Sequence, residues 1–274
     1  MSEPVQITAV IPARYGSTRF PGKPLALVKG ISLLRRVWAL AKAAPGIDQV
    51  LIATDDERVL AAARSFGAES VMTSPNLPNG TVRALAAVER ASPLPTHVVN
   101  VQGDAILTPP WVIGSLARAL RDDPEAAIVT PAVRMTRASY GQLLQAKKES
   151  PSSGTTVVFD HRRNALYFSK RVIPFLRDPS EEPPVHRHIG LYGYRLDALR
   201  RYVALPEGPL EKAEQLEQLR ALENGLPVRV VLTDYRGRTH WSIDNPQDIV
   251  AAEKLIAAEG ELLASYDGSL RWKD

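Results

Sequence analysis

Cysteine is absent from all 274 residues. That excludes disulfides, thiolate metal sites and a cysteine nucleophile. Long apolar runs are absent too: no stretch of about 18 apolar residues occurs, so no membrane span is expected. Neither sign of charge dominates, since 34 basic and 30 acidic side chains leave a net +4. No basic helix face interleaved with aromatics occurs, which argues against a nucleic-acid partner. Glu3 stands where a secretory leader would carry bases, so a cytoplasmic location is expected. No internal repeat or long low-complexity tract appears. What remains is the composition of an ordinary globular chain, 45% hydrophobic, with enough length for one large domain.

The hydrophobic pattern predicts an α/β fold. Val5–Ile11 reads as a buried strand ending at Pro12, and Ser32–Ala44 repeats its apolar residues near 3.6. A strand over Val50–Ala53 precedes a helix over Glu57–Phe66, capped by Asp55 or Asp56 and ended by Gly67. Strands follow over Ser70–Met72 and His97–Val101, with a helix over Thr81–Ala91 between them. This alternation implies a mostly parallel sheet flanked by helices, with ligands beyond the carboxyl ends of its strands. Further on, a helix is expected over Pro109–Leu120 and a strand over Ala126–Val133. Ser139–Gly154 reads as a polar surface segment. Thr155–Phe159 and Leu166–Phe168 form a hairpin around Asp160–Asn164, and Asp178–Pro184 a loop. A strand is expected over Ile189–Tyr194, one long helix over Leu210–Asn224, a strand over Val228–Leu232 and a last helix over Gln247–Glu259.

Two features carry chemistry. The loop Pro12–Pro24 packs Arg14, Arg19 and Lys23 with Gly16 and Gly22 just after the first strand. Glycine lets backbone N–H groups approach phosphate, and the three cations can neutralise a triphosphate. It is no Walker A loop: five residues separate the glycines, and Pro24 follows Lys23. The second feature is acidic. Asp104 follows Gly103 just past the strand His97–Val101, where it can hold Mg²⁺ against nucleotide phosphates. Asp244 is either a second ligand or the N-cap of the helix beginning near Pro246.

The blocks IPARYGSTRFPGKPL (11–25), ATDD (53–56), NGTVR (79–83), NVQGD (100–104), ALYFSK (165–170), RHIGLYGYR (187–195), PLEKAEQLEQLR (209–220) and SIDNPQDI (242–249) occur in this order. Together they resemble the CMP-Kdo synthetases, the 3-deoxy-manno-octulosonate cytidylyltransferases, across roughly residues 5–255. The resemblance implies a Rossmann-like nucleotidyltransferase domain over 1–274, with a smaller sugar-binding and dimerisation lobe near 130–225. It implies a Mg²⁺-dependent reaction of CTP with an acidic sugar, and a homodimer. By position, Arg14, Arg19 and Lys23 would hold the phosphates, with Arg83 in support. Arg14, Lys23 and Asp104 would act in catalysis. Ala13, Thr73, Asn79, Gly80, Thr81 and Gln102 would surround cytosine and ribose. Asp104 and Asp244 would bind the metal, and His188, Tyr192, Glu211, Glu217 and Gln218 would face the sugar acid.

The chain departs from the family at several points. Asp104 is followed by Ala105 and Ile106 instead of Glu-Pro, and Val82 stands where the family has Glu. Ser153–Val157 replaces an Asn-x-Val-Lys-Val stretch and loses its lysine. Asn245 and Gln247 replace Thr and Glu around Pro246. The phosphate loop and both aspartates are intact. The alternatives are a related sugar acid, such as 8-amino-Kdo or a sialic-acid-like substrate, or nucleotide binding without turnover.

Overall fold

The computed structural model describes residues 4–16, 19–177 and 183–269. From the N-terminus, β1 (Ile7–Ala13) leads through a 3-10 turn (Lys23–Leu25) and a small hairpin, β2 (Leu27–Val28) and β3 (Ile31–Ser32), into α1 (Leu33–Lys42). Then come β4 (Gln49–Thr54), α2 (Glu57–Ser65), β5 (Glu69–Met72), α3 (Gly80–Val88), β6 (His97–Asn100) and α4 (Pro110–Asp122). The second half holds β7 (Ile128–Arg134), α5 (Arg137–Glu149), β8 (Thr155–Phe159), β9 (Ala165–Ser169), β10 (His186–His188), β11 (Tyr192–Arg195), α6 (Leu196–Val203), α7 (Pro209–Glu214), α8 (Leu219–Glu223), β12 (Val228–Thr233) and α9 (Gln247–Glu259).

Ten of these strands share one mixed sheet. Its order is β5-β4-β1-β6-β11-β7-β10-β8-β9, with β12 also on β7. Pairing is parallel among β5, β4, β1 and β6, and again between β7 and β12. β11, β10, β8 and β9 run antiparallel to their neighbours. Residues 130–225 therefore extend the same sheet as the parallel strands. One apolar cluster joins Ile7, Ala9 and Ile11 to α1, α4 and α9, and a second joins Val10, Val98 and Tyr194 to α3, α6 and α8. Alternate residues of β1 thus feed opposite faces, as strand geometry requires. Among the described residues no helix is long and apolar enough to cross a membrane.

Local chemistry sets the helix starts. Ser32, Asp56 and Asn79 accept backbone N–H bonds from Arg35, Arg58 and Val82 at the starts of α1, α2 and α3. Gly67, at φ +77°, turns the chain after α2 in the left-handed region that the sequence assigns to it.

Two expectations need correction, and two elements, α5 and β10, were not foreseen. The polar segment 139–154 lies at the surface as expected, and most of it belongs to the helix Arg137–Glu149, capped by Thr136, which buries only Leu143. Propensity and its cap form it, and Lys147 pins it by donating to the carbonyls of Ser153 at 2.6 Å, Gly154 at 3.1 Å and Lys170. The long helix over 210–224 is two short ones, because Gln215 takes φ +53° between them. The strand expected from Ile189 begins only at Tyr192, after a tight turn in which Leu191 N bonds Ile189 O at 2.7 Å. β10 was hidden by its polar composition, His186-Arg187-His188. Of the expected Asp178–Pro184 loop, residues 178–182 lie outside the described residues, as do 17–18 of the glycine loop.

Candidate functional site

A cleft of ≈ 180 Å³ opens beyond the carboxyl ends of β1 and β6. Pro12, Ala13, Arg14, Lys23, Pro24, Gly80, Gln102, Gly103 and Asp104 line it. The loops after these two strands meet closely, for a Cβ on Gly103 would lie 2.8 Å from the Pro12 carbonyl oxygen. Gly22 turns the first loop back at φ +72°, and its N–H bonds Tyr15 O at 2.9 Å. The turn delivers Lys23 to Asp104, with Nζ 2.6 Å from Oδ2.

Asp244 comes to the same place from the other end of the chain. Ile243 N–H donates to the Asp104 carbonyl at 3.3 Å. Its carboxylate is not the cap of α9. Asp248 Oδ2 accepts the N–H groups of both Asp244 and Asn245 at 2.7 Å, leaving Asp244 Oδ1 to Arg19 at 3.1 Å. Each carboxylate therefore carries one cation of the glycine loop. Among the described residues no three His, Asp or Glu side chains converge as a metal cage. Two carboxylates on adjoining segments suit a cation that takes one or two protein carboxylates and leaves its other positions to phosphate and water, as Mg²⁺ does.

Behind the cleft, Arg83 is fully buried. It pairs with Asp55 at 2.8 Å and donates to Thr73 Oγ1, which donates in turn to Thr54 O at 2.9 Å. Burial lowers the Arg83 pKa, and the nearby Arg14 lowers it further against the pull of Asp55. Arg14 lies 3.9 Å from the same Asp55 and 3.5 Å from Pro78 O. Arg83 and Thr73 thus brace the wall that carries Arg14, and neither lines the cleft. Asn79 spends its side chain capping α3, which sets Gly80 beside Pro12.

Thr81 faces away from this cleft. Its hydroxyl donates to Glu217 Oε1 at 2.6 Å and accepts from Asn100 Nδ2 at 3.4 Å. Burial raises the Glu217 pKa against the Thr81 bond. Gln218 is 4% exposed, and its Nε2 and the Asn100 Oδ1 have no partner among the described residues. The turn between α7 and α8 places Glu217 and Gln218 there. His188 and Tyr192 are buried in the same core cluster region, with their rings 5.6 Å apart. His188 Nε2 lies 2.9 Å from Thr130 Oγ1, whose own hydrogen points to Leu191 O at 2.8 Å. A neutral ring with its proton on Nε2 lets Thr130 accept there while it donates to Leu191 O. Burial, helped by His240, takes the His188 pKa down to about 3. Burial also drives the Tyr192 hydroxyl well above its usual value. Glu211 stands apart from these four: both its oxygens are held by Arg220, at 2.6 and 2.7 Å.

Sequence reasoning missed Asp55, Asn100, Thr130 and Arg220. Asp55 lies inside ATDD and Asn100 inside NVQGD, so both motifs offered a signal. Arg220 closes the PLEKAEQLEQLR block, so it was signalled too, whereas Thr130 sits in an ordinary apolar context and gave no signal.

The comparisons fit this geometry. Residues 8–231 match the family described as Cytidylyltransferase. A 3-deoxy-manno-octulosonate cytidylyltransferase of Maricaulis maris is 55% identical over 259 residues, spanning 94% of this chain and 100% of the relative. One from Desulfatibacillum aliphaticivorans is 39% identical, over 92% and 99%. Among solved structures, a CMP:2-keto-3-deoxy-manno-octonic acid synthetase complexed with CTP aligns at TM-score 0.81 and 33% identity, covering 93% of this chain and 99% of that one.

Proposed function

The chain belongs to the 3-deoxy-manno-octulosonate cytidylyltransferase family, and from that premise we infer that it couples CTP to 3-deoxy-manno-octulosonate, giving the CMP-sugar and pyrophosphate. The anomeric hydroxyl of the sugar attacks the α-phosphorus, and the bond to pyrophosphate breaks. Such chemistry needs positioning and charge stabilisation rather than a protein nucleophile. The observation that carries this reading is the meeting of Lys23, Asp104 and the Asp244 segment at the mouth of one cleft.

Arg14, Arg19 and Lys23 hold the triphosphate. Lys23 and Arg19 exchange their carboxylates for phosphate oxygens, which frees Asp104 and Asp244. Mg²⁺ bound by those two aspartates would neutralise charge building on the leaving pyrophosphate. Ala13, Gly80 and Gln102 read the cytidine. Asn79 fixes Gly80, while Thr73 and Arg83 support Arg14 from behind. His188, Tyr192, Glu217 and Gln218 face the sugar. Thr81 orients Glu217 and so joins the nucleotide wall to the sugar side. Glu211 acts through Arg220 by fixing the turn that carries Glu217. Residues near 130–225 form the sugar-binding and dimerising lobe, and a CTP-consuming reaction belongs in the cytoplasm. Light scattering at catalytic concentration checks the dimer.

Lys23→Ala tests the nucleotide side. It should raise the CTP concentration needed for half-maximal rate by about tenfold or more, as loss of a charge-assisted bond implies. An unchanged requirement assigns the phosphates to other cations.

A further inference from the structure

Arg187 precedes His188 in β10, and strand alternation sends it to the opposite sheet face. There it lines a cavity of ≈ 440 Å³ with Gln142, Ile189, Tyr235, Arg238 and His240. Burial works against its charge, and the one influence that favours the charge is the Tyr235 phenol; no carboxylate of the described residues compensates it. Arg238 directs its guanidinium to the carbonyls of Gly260 at 3.0 Å and Glu261 at 3.4 Å. Asp234 is the one acid among the described residues that lines the cavity, and its Oδ1 accepts the Arg236 N–H at 2.8 Å. The Tyr235 hydroxyl is buried beside Thr108, and neither hydroxyl has a hydrogen bond of ordinary geometry. His240 packs edge-on against the Tyr235 ring, 5.7 Å away. A half-buried guanidinium with no counter-charge among the described residues is costly, and a buried hydroxyl without a well-formed bond adds to that cost. An anion between them relieves both.

We propose that this cavity is a second anion site, which takes a small molecule bearing a phosphate or carboxylate group against Arg187, with the Tyr235 hydroxyl as a neutral donor. The site is distinct from the nucleotide cleft and does not rest on the reaction proposed above. The loop that carries Tyr235 and His240 runs on to Ile243, whose amide bonds the Asp104 carbonyl.

The test is anion titration of the full-length protein without nucleotide, with inorganic phosphate in one arm and malonate in the other. The readouts are melting temperature and the His240 ring NMR signals. Saturable binding of at least one anion, with a shift of His240, is expected. Arg187→Met should weaken it tenfold or more. Gln142→Glu supplies an internal counter-charge in place of a buried cation's removal, and should abolish binding while the fold persists. Lys23→Ala should leave it unchanged. The arm that saturates identifies the phosphate or the carboxylate as the ligand group. No saturation with either anion overturns the proposal. So does binding that survives Gln142→Glu, or that disappears with Lys23→Ala, which would place the anion in the nucleotide cleft.

Discussion

At the scale of residues, the two aspartates carry the sharpest expectations. Asp104→Ala and Asp244→Ala should each cost several kcal/mol of transition-state stabilisation, on the order of 10³-fold in rate, as removing a metal anchor does. Turnover assays over a Mg²⁺ titration check this; chelation of divalent ions should stop the wild-type reaction and reduce neither variant much further. His188 makes a different prediction. Its pKa lies near 3 in the fold and near 6.5 when unfolded, so the unfolded chain binds the extra proton. Its contribution is therefore fully present above pH 6.5 and is lost as pH falls toward 3. At pH 5 the loss is about 2 kcal/mol. His97, His186 and His240 are also lowered by burial and add with the same sign. Urea unfolding of wild type and His188→Gln at pH 7 and pH 5 isolates the His188 share, and equal losses in the two proteins would count against it. That the cationic glycine loop meets both aspartates was legible because glycine and charge cluster beside strand ends. The jobs of Thr81, Arg83 and Thr73 were not, because a motif names residues without revealing which of them turn inward.

At the scale of elements, strands and capped helices were the readable part. β1, β4, β6 and α9 follow from β-branched runs, Asp and Gly punctuation and apolar period. The 209–224 stretch was misread because its apolar spacing persists through a break that only backbone geometry reveals. Gln215 there is a non-glycine residue at φ +53°. Gln215→Gly should therefore stabilise the protein by up to about 1 kcal/mol, since glycine enters that region without a Cβ penalty. A lowered stability in chemical denaturation would contradict the reading. The same turn depends on Glu211 and Arg220. Glu211→Gln leaves a buried guanidinium short of its partner and should cost about 3–5 kcal/mol. Calorimetric melting checks the loss, and Glu211→Gln with Arg220→Met should recover part of it. β10 escaped detection because a three-residue strand of two histidines and an arginine carries no apolar signal at all.

At the scale of the whole molecule, one sheet joins a parallel N-terminal half to a mixed C-terminal half. The parallel half places two loops at strand ends, and long-range contacts do the rest: residue 243 reaches residue 104, and residue 217 reaches residue 81. Such contacts link distant stretches that periodicity treats separately, so the parallel half could be drawn from the chain and the closure of the site could not. The measurement that tests this account most directly is pyrophosphate release, with CTP, UTP, ATP and GTP each offered Kdo, 8-amino-Kdo and sialic acid. The account predicts stoichiometric pyrophosphate and CMP-sugar from CTP with Kdo, and little from the other nucleotides. Nucleotide bound without pyrophosphate from any of the three sugar acids would contradict it.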